Sequence, residues 1–198
     1  MFVNPLIRPL AVAALLAVAA APALAADGKQ LFTDKGCVAC HGEDANTPLD
    51  VGYPRLAGQN AEYAFTQMKD IKSGARANGL TAETMKPILD EVSEPEMRAL
   101  ADYLATLPRL AGTGPAGAGK KLYMTKTCVA CHGKDGLKPV LKTYPAIGGQ
   151  EKAYLLTQMK DIKSGARKNG ATNAMQPVMH LVTEAEIEPI AEFLANVK

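Results

Sequence analysis

Apolar residues recur at helical spacing in segments that occur twice along the chain. Between about Asn60 and Ser73, the positions Ala61, Ala64, Phe65, Met68 and Ile71 fall on one stripe, and Gly74 stands where a helix ends in a left-handed residue. Glu151 to Ser164 is the partner segment. A later pair opens with Ser93-x-x-Glu96 and Thr183-x-x-Glu186, the capping-box pattern in which two side chains satisfy free N–H groups of a first helical turn. Behind these caps, Met97, Leu100, Ala101 and Leu104 line one face, as do Ile187, Ile190, Ala191 and Leu194. A short helix begins each set, at Asp27 and near Gly117, carrying Gly28-x-x-Leu31-Phe32 and Gly119-x-x-Leu122-Tyr123. No alternating strand pattern of useful length occurs, so the fold class is all-α. The stretch from Gly42 to Arg55 holds two Pro and no clear period, and to be ordered it must wrap around something.

This pairing is a repeat of the sequence itself. Cys37-Val38-Ala39-Cys40-His41-Gly42 recurs as Cys128-Val129-Ala130-Cys131-His132-Gly133, a shift of 91. Tyr53-Pro54, Gly58-Gln59 and Ser73-Gly74-Ala75-Arg76 recur at the same shift, the last as Ser164-Gly165-Ala166-Arg167. Past Gly79 and Gly170 one residue drops out, so Met85 matches Met175 at a shift of 90. The division is therefore a first domain over 26–106, a Pro/Gly-rich linker over 107–116 and a second domain over 117–198. Residues 1–25 read as a secretory signal peptide: an Ala/Leu/Val run preceded by Arg8 and ending at Pro22-Ala23-Leu24-Ala25, with cleavage near Ala25. Export places four Cys in an oxidising compartment.

Composition narrows the classes. In 198 residues, 22 Lys plus Arg face 20 Asp plus Glu, a balance that excludes nucleic acid as a partner. Lys29, Lys35, Lys69, Lys72 and Lys86 could form a docking patch, but scattered as they are they read as a solvated surface. Aromatic residues are only 5% and Trp is absent, so each short domain needs something besides side chains to complete its core.

The Cys-x-x-Cys-His runs supply it. Two thiols at this spacing form thioethers to one haem while the adjacent imidazole reaches the iron. Cys37, Cys40, Cys128 and Cys131 are then the covalent anchors of two haem c groups, with His41 and His132 as axial ligands. A zinc site or a redox disulfide is the competing reading, and the twofold recurrence of a complete attachment signature speaks against both. Met85 and Met175, in loops ahead of the capped last helices, are the candidates for the sixth ligand. Met68 and Met159 lie on the apolar stripe as core fillers. Met179 aligns with Leu89, and His180, aligned with Asp90, reads as an exposed helix end. Three His in all make bis-His ligation at both irons impossible, which leaves His/Met at each.

These residues resemble class I cytochromes c, and the tandem form is similar to the dihaem cytochrome c4 group. The resemblance rests on the attachment motifs, the Gly-x-x-Leu-Phe/Tyr pair, Tyr53-Pro54-x-Leu56-x-Gly58 with its repeat, and Met85-x-Pro87 with Met175-x-Pro177, and it covers essentially the whole mature chain. It implies two tandem class I cytochrome c domains, each wrapped around one covalently bound haem. It implies that the carbonyls of Pro54 and Pro145 orient His41 and His132, and that Gly28 and Gly119 lie beneath Tyr103 and Phe193 where first and last helices cross. Arg76 and Arg167 would hold haem propionates, a plain solvated Arg being the other reading. The implied function is a periplasmic carrier of single electrons in a respiratory chain, not itself an enzyme. Its implied partners are a quinol-cytochrome c reductase-like donor and a terminal oxidase or dehydrogenase, with peripheral association to the membrane. The alternative is an electron-accepting subunit of a dehydrogenase, as in flavocytochrome c sulfide dehydrogenase, and a third reading is a dihaem redox enzyme with an open iron.

Overall fold

The computed structural model of the chain describes residue 1, residues 27–115 and residues 117–197. The signal-peptide reading, with its cut near Ala25, lies outside the described residues. Among these, no helix is long and apolar enough to cross a membrane.

The first copy consists of α1 (Gly28–Asp34), α2 (Val38–His41), α3 (Ala61–Lys72), α4 (Met85–Asp90) and α5 (Glu94–Thr106). The second repeats it as α6 (Gly119–Thr125), α7 (Cys128–His132), α8 (Lys152–Ser164), α9 (Thr172–His180) and α10 (Glu184–Ala195). No strand occurs among the described residues. Both expected capping boxes form: the Ser93 and Thr183 N–H groups donate to Glu96 and Glu186 at 2.7 and 2.8 Å. The Asp27 carboxylate starts α1 by accepting from the N–H groups of Lys29 and Gln30, a cap that α6 lacks.

Each copy builds its own core. In the first, α5 lays Met97, Leu100 and Leu104 against Phe32, Ile71 and Leu89; in the second, α10 lays Ile187, Ile190 and Leu194 against Tyr123, Leu155 and Met179. Burial of one such side chain contributes about 1.5–3 kcal/mol. The first and last helices of each copy cross so closely that only glycine fits. A Cβ on Gly28 would collide with the Ala99 carbonyl and stand 2.6 Å from Tyr103 Cβ; one on Gly119 would collide with the Pro189 carbonyl and stand 2.9 Å from Phe193 Cβ.

The periodless stretch after the first attachment motif is held partly by its own hydrogen bonds. Asp44 accepts from the N–H groups of Asn46 and Thr47, and the chain returns to donate from Leu49 N to the Cys40 carbonyl. The linker is tied down as well. Asn46 bonds Pro108 O and Leu110 N on one side, while Gly112 N and Gly114 N donate to Val197 O and Asn196 Oδ1 on the other.

Candidate haem-binding sites

One helical turn, α2 or α7, carries each attachment motif. Positions i, i+3 and i+4 share a helix face, so Cys37, Cys40 and His41 lie together, as do Cys128, Cys131 and His132. Gly42 and Gly133 end these turns at φ 78° and 79°. Both imidazoles are buried, with Nδ1 of His41 3.0 Å from the Pro54 carbonyl and Nδ1 of His132 3.1 Å from that of Pro145. A carbonyl only accepts, so Nδ1 carries the hydrogen and Nε2 is left with its lone pair. Burial pushes both imidazoles below the ordinary histidine pKa, which keeps them in the neutral, metal-binding form. His41 Nε2 is buried with no hydrogen-bond partner among the described residues. An orphaned nitrogen lone pair, which would take the iron, on the same turn as two thiols, which would take the vinyl groups, is the set that a covalently attached haem requires, and the residues fit the group.

The methionines correct one expectation. Met85 and Met175 are not in loops: Met85 opens α4, and Met175 lies within α9. Pro87 and Pro177 suggested loops because proline breaks helices, yet Pro87 stands in a first turn whose N–H groups have no acceptor to lose. Pro177 lies inside α9 and omits a single bond. Both methionines are half-buried against their copy's core. Met159 is buried in the second copy's core and Met68 packs against the first copy's, as their stripe positions predict. Met179 and Leu89 are both core residues, and His180 is exposed at the end of α9.

Arg76 and Arg167 stand somewhere more specific than the sequence suggested. Each crosses to the other copy, where Arg76 donates to Tyr154 Oη (2.9 Å) and Gln158 Oε1 (3.1 Å), and Arg167 to Tyr63 Oη and Gln67 Oε1 (both 3.0 Å). Each also bonds the glutamine and asparagine of its own copy, Gln67 and Asn78 or Gln158 and Asn169. Asn78 and Asn169 close the ring on Asp161 and Asp70. Four of the five guanidinium hydrogens of each arginine are thereby taken by protein. Burial works to raise the Tyr63 pKa, but the guanidiniums of Arg167 and Arg76 outweigh it and hold it below the ordinary tyrosine value.

This ring escaped the sequence reading, although a signal for it exists. Tyr63, Gln67 and Asp70 sit at i, i+4 and i+7, a polar stripe beside the apolar one, and Tyr154, Gln158 and Asp161 repeat it at the shift of 91. A second junction lies nearby. Gln59 exchanges two hydrogen bonds with the backbone of Ala146, Gln150 exchanges two with that of Arg55, and the Arg55 side chain pairs with Glu151 at 2.6 Å. Here Arg109 of the linker donates from Nη1 to the Gly148 carbonyl, while its buried Nη2 has no partner among the described residues. Burial and then the neighbouring Arg55 charge push the Arg109 pKa down to about 10.

Comparison with known proteins agrees with this geometry. The sequence matches the Cytochrome c family over residues 25–108 and again over 116–198. It is 36% identical over 195 residues to a thiosulfate dehydrogenase electron acceptor of Stutzerimonas stutzeri (strain A1501), covering 88% of each chain. It is 32% identical over 169 residues to cytochrome c4 of Pseudomonas aeruginosa, covering 80% of this chain and 82% of that one. The crystal structure of reduced recombinant cytochrome c4 from Pseudomonas stutzeri superimposes with a TM-score of 0.74 at 28% identity, over 86% of this chain and 97% of the other. With two attachment turns on two copies of one all-helical fold, the chain belongs to the cytochrome c family, as a tandem, dihaem member of the cytochrome c4 type.

Proposed function

We propose that this dihaem electron carrier works in the periplasm, with His41 and Met85 on the first iron and His132 and Met175 on the second. The observation that carries the histidine half of the assignment is the buried, unpartnered Nε2 of His41, with its Nδ1 fixed by Pro54. Pro145 does the same for His132. When bound, each haem supplies a single one-electron couple. The chain's residues bind it through Cys37, Cys40, Cys128 and Cys131, orient one ligand and exclude water. A thioether opposite an imidazole favours the ferrous state relative to a second imidazole, which raises the potential. Arg76 and Arg167 clamp the two copies in one arrangement, and Arg109 Nη2 is a donor available to a propionate.

In this reading the protein accepts electrons from a dehydrogenase or quinol-oxidising complex and delivers them to a terminal oxidase, without turning over a substrate. The S. stutzeri relative's name supports a thiosulfate-oxidising dehydrogenase as a donor. The test is a two-part assay on the holoprotein. Alone with thiosulfate and an artificial oxidant it should show no turnover; with a purified thiosulfate dehydrogenase added, both haems should become reduced. Turnover by the holoprotein alone would make it an enzyme, and reduction of neither haem by the added dehydrogenase would remove that donor.

A further inference from the structure

We propose that Arg109, in the linker, is the counter-ion of one haem propionate, so that the linker forms part of a haem site and sets the potential of that haem alone. The inference rests on the dihaem carrier reading above and gives the linker a role that reading does not need.

Arg109 is held in place at three points. Asn46, 4% exposed, donates to the Pro108 carbonyl at 2.9 Å and accepts from Leu110 N at 3.2 Å, which pins the backbone on both sides of the arginine. Two glycines let its stem pass: a Cβ on Gly58 would stand 3.1 Å from Arg109 Cβ, and one on Gly149 3.6 Å from its Cγ and Cδ. At the far end, Nη1 donates to the Gly148 carbonyl at 2.8 Å. A long side chain fixed at its backbone, its stem and one nitrogen has already lost its rotamer freedom, which is how a binding group is preorganised. The device is single, because the second copy has Leu137 where the first has Asn46.

The charges around this arginine do not balance. Glu151 is taken by Arg55, and no carboxylate reaches Arg109 among the described residues. Its Nη2 is buried without a partner. Burial and then the Arg55 charge work against the guanidinium, yet at about 10 its pKa keeps it charged at neutral pH. A buried cation with a like charge beside it and a donor lacking an acceptor is costly unless an anion meets it. Both haem sites adjoin this seam. Arg55 follows Pro54, whose carbonyl holds His41, and Gly148 lies three positions beyond Pro145, whose carbonyl holds His132. A propionate is the carboxylate that a haem bound there supplies, and a guanidinium is the donor that carboxylates take best. Pairing cancels the propionate charge near the iron; without it that charge favours the ferric state, and the potential falls.

The experiment is a redox titration of the holoprotein with optical detection, with resonance Raman spectra of the same samples. Arg109→Leu should raise the ferric-to-ferrous ratio of one haem about tenfold at fixed potential, a drop of about 59 mV for a one-electron couple, and leave the other haem within about twofold. The propionate bending band of one haem should shift in the same variant. Arg109→Lys, which keeps the charge, should stay within about threefold of wild type. Arg98→Leu removes the same charge from an exposed side chain and should leave both haems within about twofold. If the Leu variant does not load both haems, Arg109→Gln keeps a donor and should still shift one haem about threefold. A loaded Leu or Gln variant in which neither potential moves, or an equal shift in Arg98→Leu, overturns the proposal. A wild-type chain that does not take up two electrons defeats the dihaem carrier reading, whereas a two-electron titration indifferent to residue 109 defeats only the propionate assignment.

Discussion

In the first copy the loop after the attachment motif carries Glu43, Asp44 and Asp50, and in the second the aligned positions are Lys134, Asp135 and Leu141. Behind these dissimilar loops the imidazoles are held almost identically, 3.0 and 3.1 Å from the Pro54 and Pro145 carbonyls. The crossing glycines, the capping boxes and both halves of the Arg–Tyr–Gln ring also recur. The two halves agree at the attachment turns, the helix crossings and the ring, and differ in the charge of the loops that meet solvent; at the second junction they differ too, Arg55 standing where the second copy has Ala146.

The comparison breaks most sharply at the sixth ligand. Met85→Ala and Met175→Ala should each open one iron, remove half of the sulfur-to-iron charge-transfer absorption and lower one of the two potentials. Potentiometric titration with optical detection reads this out, and equal effects would show the two sites to be equivalent. Next comes the ring. Arg76→Leu strands Tyr154, Gln158 and Gln67, and denaturant unfolding of the holoprotein should show a loss of about 2 kcal/mol or more, matched by Arg167→Leu. Because both arginines share Gln67 and Gln158, the double variant should lose less than the sum. Gly28→Ala and Gly119→Ala should each cost about 1–3 kcal/mol, since the collision is with backbone that must shift.

The smallest effect concerns acid. The Ser93 N–H and hydroxyl and then Lys35 hold Glu96 down at about 2, while Lys126 and then the Thr183 N–H hold Glu186 at about 2. A depressed carboxylate contributes stability that is complete above its unfolded pKa and is lost as pH falls through the folded one. Glu96→Gln and Glu186→Gln should therefore lower stability in the neutral region, where the carboxylates contribute in full, and flatten the acid limb between about pH 4.5 and pH 2, below which each variant should match the wild type, as thermal melts across pH would record.

Much of this molecule can be read from residues alone, because its signals are local. The motif spacing, the Ser93 and Thr183 caps and the stripes of α3 and α8 each depend on neighbours within a few positions. The proline carbonyls and the crossing glycines were legible only through family resemblance, since each contact joins residues that no local pattern pairs. The helical setting of Met85 and Met175 was obscured by Pro87 and Pro177, since a proline's tolerance depends on which turn it occupies. The destination of Arg76 and Arg167 depends on contacts across 78 to 104 positions of chain, which no local pattern announces. Arg109 has no aligned counterpart, so the repeat could not draw attention to it.

Carbon monoxide addition to the dithionite-reduced holoprotein, with haem per chain measured on the same sample, decides whether both irons are closed by His and Met in one electron-carrying chain. Closed sites give two haems per chain and no fast carbon monoxide adduct at either. Rapid binding at one iron would contradict that closure and make that copy a site of chemistry instead of passage.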